Sequence, residues 1–91
     1  MLFRSAVYAV VFTDVSGTNV TFVVSLSEGE PAAYDTVTLQ SSTTLDGAAD
    51  PASGNWTKLR QYKVGTMTLP ATINLTPAGT GNVLFYRVVQ P

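Results

Sequence analysis

The chain has 91 residues with five Lys+Arg, six Asp+Glu, no His and no Cys, a length that holds one small domain over residues 1–91. Without Cys there is no disulfide scaffold, thiolate zinc site or thiol nucleophile, and without His the commonest general base and metal ligand is missing, so the chain is expected to be neither an enzyme nor a cofactor carrier. A net charge of -1 and a charged fraction of 12%, against roughly 25% in ordinary soluble domains, offer no cationic patch to nucleic acid or an anionic membrane.

Thr occurs 13 times and Val 12 times, a β-branched excess that fits pleated surfaces and predicts an all-β chain. The run Ala6 to Phe12 is far shorter than the roughly 20 apolar residues of a membrane-spanning helix. Arg4, this run and Val15-Ser16-Gly17 imitate a secretory leader only poorly, and cleavage would delete the best strand, so residues 3 to 13 are expected to form the first strand. Phe3, Val7, Ala9 and Val11 then lie on one face and Ala6, Tyr8, Val10 and Phe12 on the other. A strand apolar on both faces is either central or covered by another subunit.

Residues 14 to 19 read as a turn, followed by strand 20 to 26 with Val20, Phe22, Val24 and Leu26 inward. Ser27 to Tyr34, with Gly, Pro and two acids, reads as an exposed connection and the crossing between two sheets. Strand 36 to 42 places Val37 and Leu39 inward and Thr36, Thr38 and Gln40 outward; a long loop over 43 to 55 follows. Segments 56 to 63, 66 to 76 and 83 to 90 complete about six strands, with Pro70 marking an edge or a bulge.

Charge is divided along the chain. Residues 5 to 57 hold all six acids and no base, while residues 58 to 91 hold Lys58, Arg60, Lys63 and Arg87 and no acid. Either strands from the two halves interleave and neutralise within one fold, or the halves of neighbouring subunits meet. In strand geometry Lys58 and Arg60 share a face and Lys63 takes the other unless a bulge intervenes.

The series Val37-Thr-Leu-Gln-Ser-Ser42, Leu45-Asp-Gly47, Asn55-Trp-Thr-Lys-Leu59 and Phe85-Tyr-Arg-Val-Val89 resembles the strand, DG turn, tryptophan strand and terminal YRV strand of small immunoglobulin-like or fibronectin-like β-sandwich domains of tailed-phage virion proteins. The resemblance covers about half the chain, and Ala48 to Gly54 is an insertion relative to that pattern. It implies an antiparallel β-sandwich, immunoglobulin-like or jelly-roll-like, of about six to seven strands. It further implies a non-enzymatic structural protein at the capsid surface of a virion, a cement or decoration protein whose partners are itself and other virion proteins such as the major capsid protein. The alternative function is a small carbohydrate- or cell-surface-binding module.

A homo-oligomer is expected because a small sandwich can bury only one face of the first strand. The interface candidates are Phe3, Tyr8, Val10 and Phe12 from that strand, with Arg60 and Lys63 as charged contacts to a neighbouring acidic half. Trp56 reads as a core or core-edge residue between sheets, its indole N–H given to a carbonyl. Its alternative is a sugar-stacking platform with Tyr34 and Tyr62. Asp46 and Asp50, with Ser53 and carbonyls, make a thin ligand set for calcium, which takes six to eight oxygens, and read as a solvated turn. Asn19, Asn55 and Asn74 each begin an Asn-x-Thr triplet, relevant only in a secretory pathway.

Overall fold

Alternation of β-branched and small polar residues becomes strand wherever one parity can be buried. The computed structural model describes residues 5–16, 19–50, 52–76 and 85–90. Among them lie six strands, β1 Val7–Ser16, β2 Asn19–Glu28, β3 Val37–Ser42, β4 Thr57–Tyr62, β5 Ala71–Leu75 and β6 Phe85–Val89, with a 3-10 turn at Val64–Thr66. They form two three-stranded sheets of order β1-β2-β5 and β4-β3-β6, every neighbouring pair antiparallel. The fold is thus all-β and compatible with a small β-sandwich.

The two sheets share one cluster of side chains. Tyr8, Val20, Phe22, Val24 and Ile73 from the first meet Val37 and Leu39 from the second, with Ala6 and Val64 closing the cluster. Phe22 is fully buried and contacts rings from both sheets, Phe12 at 5.7 Å and Tyr62 edge-on at 5.8 Å between centroids. Each such apolar side chain contributes about 1.5–3 kcal/mol on burial.

The first hairpin is longer than its sequence suggests. Residues 14 to 16 continue β1 instead of turning, pairing as Asp14↔Thr21, Val15↔Val20 and Ser16↔Asn19. A bulge between Phe12 and Asp14 makes this possible, because one extra residue lets Val15 rejoin the parity of Val20. Asn19 then donates to the Asp14 carboxylate at 3.1 Å, holding the two strand ends together. Leu26 pairs with the buried Tyr8 but lies at the open end of the sheet and is 38% exposed, less inward than its alternation implies.

Residues 29 to 36 carry the chain from the first sheet to the second, as the Gly- and Pro-containing segment predicts. The crossing is welded to the 3-10 turn: Asp35 N–H donates to Ala32 O at 2.9 Å and Gly65 N–H to Asp35 O at 3.2 Å. A Cβ on Gly65 would collide with the Ala32 carbonyl, so only glycine lets the turn pack this closely. The segment 66 to 76 is not one strand, because the 3-10 turn occupies its start and β5 begins only after Pro70. Having no N–H to give, Pro70 precedes a strand at the sheet edge, as expected.

Candidate interaction surfaces

On β1, parity divides one apolar sequence between two destinations. Ala6 and Tyr8 are buried, and Val10 and Phe12 are half-buried against the core. Val7, Ala9 and Val11 face outward, with Val7 45% and Val11 61% exposed. Of the expected interface residues, Phe3 lies outside the described residues. Tyr8 is a core residue whose side chain is consumed within the fold, because burying its ring between the sheets is worth more than leaving it to a neighbour. The second sheet therefore covers the even-numbered face, and the outward apolar surface is Val7, Ala9 and Val11.

β1 is an edge strand. At its start the edge is already occupied, since the Gln90 side-chain amide, just past β6, donates Nε2–H to Ala6 O at 2.7 Å and accepts the Tyr8 N–H through Oε1 at 3.3 Å. Gln90 thus imitates one residue of a pairing strand. Nothing in the sequence singles it out, since the bond joins residues 84 apart.

The Tyr8 ring ends in a hydrogen bond across the core rim. Its hydroxyl donates to Asp35 Oδ2 at 2.7 Å, and the same oxygen accepts the Ala32 N–H at 2.9 Å. Burial pushes the Tyr8 phenol up to about 12, with the hydrogen bond to Asp35 and its charge adding to the rise. The Ala32 N–H, and then the Tyr8 hydroxyl, hold the Asp35 carboxyl below its ordinary value. Both effects favour a neutral phenol donating to a carboxylate.

The bases of β4 do not share a face, because a bulge intervenes. The β3–β4 register shifts between Leu39 and Gln40, so Arg60 stands opposite Leu39 and Lys58 opposite Gln40. Leu39 points into the core and Gln40 away from it, which sends the two cations to opposite sides. Arg60 reaches the Tyr62 ring, 5.9 Å from its centroid, and remains exposed, as does Lys63 at the head of the 3-10 turn. Among the described residues, no hydrogen bond or ion pair joins the side chains of Lys58, Arg60 or Lys63 to a carboxylate. The strands of the two halves do interleave, with β3 between β4 and β6.

Trp56 lies outside the central cluster and stacks under Arg87, whose guanidinium carbon is 4.5 Å from the ring centroid. Its indole N–H donates to Asp46 O at 3.0 Å, a carbonyl acceptor as expected of a buried tryptophan. Arg87 is the organiser of the long loop. Its Nε donates to Gln40 Oε1 at 2.8 Å and its Nη1 is shared among the carbonyls of Gly47, Ala48 and Asp50, each at 2.9 Å. Arg87 faces Gln40 in the β3–β6 register, so the loop folds over the outer face of the second sheet.

Within the loop, oxygen side chains cap successive turns. Ser42 Oγ accepts the Thr44 N–H, Asp50 Oδ1 the Ala52 N–H and Ser53 Oγ the Asn55 N–H, at 3.0–3.3 Å. The carbonyls imagined as calcium ligands are thus turned on a guanidinium, and the Asp50 carboxylate caps a turn. The three aromatics of the sugar-platform reading are dispersed: Trp56 is under the loop, Tyr62 packs on Phe22, and Tyr34 is 84% exposed on the crossing.

At the hairpin end of the first sheet, Asn74 donates to Asn19 Oδ1 at 2.9 Å and to Thr21 Oγ1 at 2.8 Å, and Thr76 donates to the Asn19 amide oxygen as well. This polar ladder joins β2 to β5 and uses two of the three Asn-x-Thr asparagines for the fold's own hydrogen bonds. Comparison with protein-family models, curated proteins and solved structures finds no match to this chain.

Proposed function

We propose that this chain is a non-catalytic structural protein that works by association, a virion component of the capsid cement or decoration type that contacts copies of itself and a shell protein. The observation that supports the reading is the first strand: with Tyr8 buried and Val10 and Phe12 packed against the core, it still presents Val7 and Val11 to solvent, 45% and 61% exposed. An apolar outer face on a small domain of low charge is stabilised when a partner covers it. Exposed Arg60 and Lys63 add a cationic contact for an acidic neighbour. The resemblance to phage β-sandwich domains supplies the kind of assembly.

Mass spectrometry and electron microscopy of virus particles produced by the source of this chain test the proposal. The expected result is this chain at a fixed stoichiometry on the head, with density of its size at symmetry-related positions. Its absence from every purified particle would overturn the reading.

A further inference from the structure

We infer that β1 is a pairing edge for a second copy of itself, two chains joining antiparallel about Val11 so that their first sheets become one continuous sheet. The inference deepens the proposed function and rests on its premise that the chain self-associates.

Main-chain direction carries the argument. Ala6 C=O and Tyr8 N–H point away from β2, since both are bonded to the Gln90 side chain on the open side. In an antiparallel ladder these directions alternate, so Val10 and Phe12 also aim their N–H and C=O at the open edge, while Ala9 and Val11 bond to Ser25 and Val23. Among the described residues, only Gln90 and the Ser5–Glu30 bridge beyond the strand's start meet that edge. Gln90 closes the window at Tyr8 and the bulge after Phe12 closes it at the other end. The open stretch is therefore Val10 to Phe12.

Three features select a second copy as the occupant. A segment that docks here must be extended and apolar on both faces, because it would lie beside half-buried Val10 and Phe12 on one side and exposed Val11 on the other. β1 is itself such a strand. The window is also self-complementary. A two-fold axis at Val11 sets Val10 of one copy opposite Phe12 of the other, each pair exchanging N–H and C=O, and leaves both Gln90 amides undisturbed. Lastly, Val7 to Thr13 has no charge and no proline to repel a second strand, whereas edge strand β4 carries exposed Lys58 and Arg60 and edge strand β5 follows directly on Pro70.

The test is amide hydrogen exchange on the unmodified chain across a dilution series, with sedimentation at the same concentrations. The expected result is a dimer in which the Val10 and Phe12 amides are protected at high concentration and exchange at least tenfold faster when diluted, while Ala9 and Val11, bonded to β2, stay protected throughout. Val11→Lys, a change on the exposed face, should abolish the dimer with the circular dichroism of the fold unchanged. An oligomer whose Val10 and Phe12 amides exchange freely at every concentration overturns the edge pairing and leaves association intact. A monomer at every concentration overturns the edge pairing together with the premise of self-association, and the particle experiment then decides the virion reading separately.

Discussion

Arg87 holds Trp56 and the 43–55 loop together, its guanidinium stacked on the indole and shared with Gln40 and three loop carbonyls. The planar fork is what the site requires, since an ammonium cannot reach Gln40, the loop and the ring face at once. Arg87→Lys is therefore expected to lower stability by about 2–4 kcal/mol, combining charged hydrogen bonds with a cation–π contact. Trp56 fluorescence should shift to the red as the loop loosens. A variant with wild-type emission and denaturation midpoint would remove Arg87 from this role.

The Tyr8–Asp35 bond makes stability depend on pH at both extremes. The Tyr8 phenol is raised in the folded state to about 12 from an ordinary value of 10.0, so its contribution is complete below pH 10 and is lost as pH rises from 10 towards 12. The Asp35 carboxyl is lowered from 3.8, so its contribution is present above that pH and is lost as pH falls through the folded value. Thermal melts from pH 2 to 12 should show both losses, and Tyr8→Phe should remove most of the alkaline one. An unchanged alkaline limb in that variant would assign the loss to other groups.

Gln90→Ala should free Ala6 O and the Tyr8 N–H at once. Stability is expected to fall by about 1 kcal/mol, the net worth of such a pair at a half-exposed edge. Exchange of the Tyr8 amide should accelerate, with that of Ala9 unaffected. Equal acceleration at both amides would indicate fraying of the whole strand.

Reversing Arg60 and Lys63 to Glu should leave the monomer's melting temperature within about 4 °C, because exposed charges with no ion-pair partner among the described residues change stability by about 0.5 kcal/mol or less. Particle binding should instead weaken, and the difference from wild type should shrink at high salt. Sedimentation and particle occupancy at two ionic strengths read this, and unchanged occupancy at both removes these residues from the contact.

The all-β class, the crossing near Pro31 and the inward parity of Val20, Phe22, Val24, Val37 and Leu39 were legible from local pattern, because period-two alternation and turn residues act over a few positions. The bulges in β1 and β4 were not. One extra residue at Thr13 extends β1 to Ser16, and another opposite Leu39 sends Lys58 and Arg60 to opposite sides; a bulge leaves no compositional mark, being set by which partner register buries the most apolar surface. Arg87, Gln90 and Asp35 were equally hidden, since each acts through partners 27 to 84 residues away. Above all, a strand apolar on both faces states only that each face needs cover. Which face the fold itself covers, leaving Val7 and Val11 outside, is decided when the second sheet docks, because Phe22, Leu39 and Tyr62 pack against only one of them.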